Sequence, residues 1–206
     1  MITRAYIESL RQPTVDAPLR ILMSACLSGI RCGFDGTANG DYPSARKLVD
    51  YKMCKVITFC PEEHSFGSPR EMCDIHGGTG MDVLDGKAKV LSDSGIDWSA
   101  GMIKGAEKML ERAKEYNIEL AVMMDISAAC GSTVIYSGNR FSENKVYQIG
   151  QGVAAALLMR NNITVISQRD YASLETLYAK LDASHQIDAT KIDHRDTEWY
   201  KGYFRM

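Results

Sequence analysis

Three of the six cysteines in this chain of 206 residues share a setting that could hold a metal. Cys26 ends the apolar run Ile21-Leu22-Met23-Ser24-Ala25, and Cys60 ends Val56-Ile57-Thr58-Phe59. Cys130 follows Leu120-Ala121-Val122-Met123-Met124 by a few residues. Thiolate is a soft ligand that selects zinc, copper(I) or iron–sulfur clusters. A closed structural zinc site wants four ligands, often as CxxC or HxxxH pairs, and neither spacing occurs in this sequence. A cubane cluster normally takes four cysteines. Three would leave one iron open, the feature that separates catalytic metal sites from structural ones. The competing reading is a set of core cysteines, since cysteine is among the most buried residue types. Cys54 and Cys73 fit that reading better, Cys32 on the loop after Cys26 could be an extra ligand or a bystander, and all three stay outside the proposed ligand set.

For three such cysteines to meet, their runs must be neighbouring strands. Each run is continuously apolar and stops at a turn, as expected of strands buried on both faces. A fourth run, Ile163–Ile166, matches them. Helical patterns lie between: one from Asp97, with Trp98, Met102, Ala106, Met109, Leu110 and Ala113 on one face, then Gly152–Leu158 and Tyr171–Leu181. Short strands are expected at Met72–Ile75 and Ala88–Leu91. The order predicts a single α/β domain with a mostly parallel sheet flanked by helices. Its ligand site would lie at the carboxyl ends of the strands, where open parallel sheets bind ligands. The expected boundaries are an N-terminal helical extension over 1–18, the α/β cluster-binding domain over 19–182, and a C-terminal tail over 183–206.

Composition narrows the function classes. The formal net charge is −2, so nothing global draws the chain to nucleic acid. No apolar run reaches the roughly 20 residues of a membrane span. The first residues lack a signal-peptide core, which predicts a cytoplasmic location. Thiols stay reduced there, so ligands, catalytic groups or core residues are expected rather than disulfides. The aromatic tail could pack on the body or on a second copy, a homodimer.

The sequence resembles a family at three ordered places. SACLSGIRCGFDG (24–36), CPEEHSFGSPREMCDI (60–75) and SAACGSTVIYSG (127–138) are similar to the three motifs of the domain-of-unknown-function 523 family. The likeness runs over about residues 19–168. That family includes thiouracil desulfidases, and the resemblance implies a 4Fe–4S cluster held by Cys26, Cys60 and Cys130. It implies removal of sulfur from a thiolated pyrimidine such as 2-thiouracil, with the substrate sulfur binding the unique iron. Glu62 and Ser127 would serve proton transfer. The alternative is a non-catalytic metal-binding or redox-sensing domain, with zinc or a cluster in the same site. The sequence departs from the family at Ala128 and Ala129, where Pro and Ser are usual. It departs again at Met124 and Ile126, where a Lys and an Arg are usual.

Other residues near the motifs complete the candidate set. Asp35 with Gly36 is a turn signal and a candidate substrate contact. Arg70, in Ser68-Pro69-Arg70, could meet an anionic or carbonyl group of the substrate, or form a surface ion pair. His64 and His76 are the histidines nearest the motifs, whereas His185 and His194 lie in the tail and are expected to matter less.

Overall fold

The computed structural model describes residues 2–38 and 42–206. Eight strands are present among them: β1 Leu19–Ser24, β2 Cys54–Phe59, β3 Cys73–His76, β4 Lys89–Ser92, β5 Leu120–Met123, β6 Val134–Tyr136, β7 Tyr147–Ile149 and β8 Val165–Ser167. The α-helices are α1 Ile2–Ser9, α2 Pro43–Arg46, α3 Pro61–Phe66, α4 Gly80–Leu84, α5 Ser99–Glu115, α6 Val153–Arg160, α7 Tyr171–Leu181 and α8 Glu198–Phe204.

Four strands form a parallel sheet in the order β2-β1-β5-β8. Its strands read as largely apolar runs because alternate residues serve two cores. Leu22, Ala121 and Met123 face one cluster with α5 and α6. Ile21, Met23, Leu120 and Val122 face the other, with Ile7 of α1 and Leu174 and Leu177 of α7. The α/β architecture is as expected. Two additional sheets are antiparallel pairs, β3-β4 and β6-β7, laid beside the main sheet.

The helix after Asp97 forms as its periodicity predicts. Asp97 Oδ1 accepts the Ser99 N–H at 3.0 Å, and Met102, Ala106, Met109 and Ala113 are buried on one face. In the parallel pairing Ser24 stands opposite Phe59 and Met23 opposite Val122. The three strands therefore end level. The chain leaves β1 for β2 on one side and later returns to β5 on the other, so the strand order reverses beside β1. A crevice opens at the carboxyl edge of such a switch point.

Candidate active site

Each of the three cysteines is delivered by a different device. After β1 the chain makes a tight 3₁₀ turn, Ala25–Ser28, which carries Cys26 and ends at Gly29 with φ +90°. After β2, Cys60 is the N-cap of α3, with Pro61 at the first helical position, a place where its missing N–H loses nothing. The Cys60 sulfur accepts the Glu63 N–H at 3.4 Å. Gly105 of α5 lets α3 sit close, since a Cβ there would stand 2.3 Å from the Pro61 carbonyl oxygen.

The loop after β5 carries Ser127 and Cys130. It is supported from below by the start of α6, where Val153 and Ala154 donate N–H bonds to the carbonyls of Ala128 and Ala129 at 2.9 and 2.8 Å. Ala128 and Ala129 are buried in that contact. Gly152 makes the approach feasible, because a Cβ there would meet the Ala129 backbone at 2.5 Å. Ile126 holds φ +56°. Left-handed backbone at a β-branched residue is strained by roughly 1–3 kcal/mol and persists only when its surroundings impose it.

These devices bring Cys26, Cys60 and Cys130 to the wall of one cavity of about 270 Å³, together with Glu62, Ser127, Arg70 and Asp35. Cys32 and Cys73 line it too. Cys32 is buried, and its thiol is within hydrogen-bonding reach of both Cys26 and Cys60. Cys54 opens β2 on the core side, away from the cavity. All six cysteines are free thiols.

A polar relay runs beside the thiols. Ser127 Oγ accepts the N–H groups of Ala129 and Cys130 at 3.2 and 3.1 Å. Its hydroxyl donates to Glu62 Oε1 at 3.3 Å. The other oxygen, Oε2, accepts from Arg70 Nη2 at 2.6 Å. Arg70 in turn donates through Nη1 to the carbonyls of Cys32 and Gly67, each at 3.0 Å. Its side chain is only 4% exposed. It therefore orients Glu62 and ties down the Cys32 loop rather than offering a free cation to the cavity. Asp35 sits at the exposed mouth, where its Oδ1 accepts the Thr37 N–H and hydroxyl at 2.9 and 2.7 Å. Those bonds hold its pKa below the usual value.

The thiols crowd one another. The hydrogen bond with Cys26 and burial push the Cys32 thiol up to about 12. Cys60 rises through its contact with Cys32, its burial and the Glu62 carboxylate. Burial and the nearby Cys60 raise Cys130. A cationic metal core would relieve the crowding that raises Cys32, Cys60 and Cys130, and its binding would release protons from the thiols that hold it. Among the described residues no three His, Cys, Asp or Glu side chains stand close enough to hold one ion. The donors ring a cavity instead, which suits a group with several atoms of its own.

Sequence reasoning missed two groups. Arg140, from the β6–β7 connection, lines the cavity together with Met124 and Ile126. Asp74 accepts from its Nε and Nη2 at 2.6–3.0 Å. His194, expected to matter little, is buried against Asp125. His64 is exposed on α3, and His76 lies in a separate shallow depression.

The fold and the cavity define an α/β protein with a thiol-lined small-molecule site at its sheet switch point. Residues 21–170 match the 2-thiouracil desulfurase family. The chain belongs to that family, whose chemistry is carbon–sulfur bond cleavage, and is an enzyme of that class. It is similar to the uncharacterized protein YbbK of Bacillus subtilis (strain 168), with 43% identity over 151 residues covering 73% of this chain and 96% of YbbK. It is also similar to the solved structure of the [4Fe-4S]-dependent thiouracil desulfidase TudS (DUF523Vcz). There the TM-score is 0.62 at 29% identity, covering 78% of this chain and 98% of TudS. Among the described residues no helix is long and apolar enough to cross a membrane.

Proposed function

We propose that this enzyme hydrolyses a thiolated pyrimidine such as 2-thiouracil to the oxo-pyrimidine and sulfide, with Cys26, Cys60 and Cys130 holding a 4Fe–4S cluster. The observation that carries the reading is one cavity to which the segments after three parallel strands bring Cys26, Cys60 and Cys130, beside Cys32, Cys73 and a carboxylate–hydroxyl pair. The [4Fe-4S] dependence of TudS supports an iron–sulfur cluster as the group bound there. When bound, the cluster supplies a Lewis-acidic iron for the substrate's sulfur.

The protein's own residues do the rest. The overall exchange is C=S plus water giving C=O plus H₂S, with no net electron transfer. Glu62 is the group positioned to take a proton from the attacking water, because Arg70 fixes one of its oxygens and the other faces Ser127. Ser127 already accepts two N–H bonds, so its own proton points toward Glu62 and can be relayed to or from the substrate. Arg140, anchored by Asp74 at the cavity wall, would donate to a ring carbonyl of the substrate. Asp35 at the mouth is a second candidate contact for substrate. The free thiols suit the reducing cytoplasm.

The test is incubation of anaerobically reconstituted protein with 2-thiouracil, following uracil and sulfide. Equimolar formation of both supports the reading. A protein that carries a full cluster and turns over neither 2-thiouracil nor 4-thiouracil would contradict it.

A further inference from the structure

Residues after 170 lie outside the family match, yet they reach the base of the active-site loop. Asp125, 0% exposed, begins that loop directly after β5. Its Oδ1 collects three backbone N–H groups, from Ser132, Thr133 and Val134, each at 3.1 Å. The two ends of the segment bearing Ser127 and Cys130 are thus tied to a single carboxylate. Its other oxygen, Oδ2, meets His194 Nδ1 at 2.8 Å. A carboxylate only accepts, so Nδ1 carries the proton.

His194 is itself 4% exposed and firmly placed. Its backbone N–H donates to Asp170 at 3.0 Å, its ring stacks on Trp199 at 5.4 Å, and the preceding Asp193 accepts from Ser173. Between Asp125 and Ser127 lies Ile126 in left-handed backbone, a conformation that needs external restraint. Without His194, Oδ2 would be a buried acceptor with no partner, and the carboxylate would be freer to turn away from the three N–H groups.

We propose that His194 is a positioning residue of the active site: through Asp125 it holds the 125–134 loop in the strained shape that presents Ser127 and Cys130. The functional importance of that loop rests on the reading above, but the restraint belongs to the protein alone.

Amide hydrogen exchange on the full-length, cluster-free protein tests it. His194→Ala should speed exchange at Ser132, Thr133 and Val134 by about tenfold or more, the effect of losing a hydrogen bond to a charged group. His194→Asn, whose amide nitrogen can take the place of Nδ1, should restore slow exchange. Ser173→Ala, which weakens the tail's other buried anchor, should leave those three amides protected. If His194→Ala does not fold, His194→Gln, whose amide nitrogen mimics Nε2 instead, should show the same acceleration. Wild-type exchange at those amides in the Ala or Gln variant would overturn the proposal. So would equal acceleration in Ser173→Ala, which would reduce the tail to a general stabiliser. In parallel, reconstituted His194→Ala should retain less iron than wild type. A wild-type protein that takes up no iron would count against the cluster, and the exchange rates would still decide the role of His194.

Discussion

Ser127 and Glu62 make a sharper claim than the cysteines, because their roles separate chemistry from metal binding. Ser127→Ala and Glu62→Gln remove a proton-transfer partner while leaving all three thiols in place. Each should lower turnover of 2-thiouracil per iron bound by roughly 10²–10⁴-fold, with iron measured in every variant because Ser127 also accepts the Cys130 N–H. Arg70→Lys tests a different function. A lysine cannot span Glu62 and the carbonyls of Cys32 and Gly67 together. The variant should melt at a lower temperature, by a loss of about 1–3 kcal/mol, and lose activity with it. At this scale the convergence of Cys26, Cys60 and Cys130 on one cavity was legible in the sequence, because each follows an apolar run that ends in a turn. Arg140 and His194 were not. Their partners, Asp74 and Asp125, are 66 and 69 residues away, and no local pattern records such a pairing. Arg70 was visible, but its occupation by Glu62 and backbone carbonyls was not.

The elements that carry the site are held by close backbone approaches, and those can be tested singly. Gly105→Ala would drive a Cβ into the Pro61 carbonyl of α3, a backbone contact that cannot yield by rotating a side chain. The expected result is a loss of about 1–3 kcal/mol together with a lower iron content, because Cys60 caps the displaced helix. An unchanged iron content would mean that the position of α3 does not set that of Cys60. The long elements followed the sequence closely: the four parallel strands fall on the four apolar runs, and α5 has a clear one-sided periodicity. The β6–β7 pair went unseen because each strand has three residues, too few for an alternation to register. Pro61, which follows the second apolar run, is the first residue of α3. The aromatic tail contains α8, whose order comes from packing of Trp199, Tyr200, Tyr203 and Phe204 on one another and on His194.

On the scale of the whole molecule, the buried edge of β8 gives the protein a distinctive pH response. Burial raises the Asp170 carboxyl to about 6, against the hydrogen bonds it accepts from Ser167 and His194. A carboxyl raised on folding binds more protons in the folded state between about pH 4 and 6, so its contribution to stability falls as pH rises through that window. Relative to Asp170→Asn, the wild type should lose up to about 3 kcal/mol across it, measured by urea unfolding at successive pH values. A pH-independent difference would show that Asp170 titrates normally. The central claim concerns the other end of the same sheet edge, where three strand ends supply three ligands. Iron and inorganic sulfide should be measured per chain after anaerobic reconstitution, in the wild type and in Cys26→Ser, Cys60→Ser and Cys130→Ser. The account predicts about four of each in the wild type and a marked loss in every variant. A wild type that binds only zinc, or a full complement of iron in any one of the three variants, would contradict it.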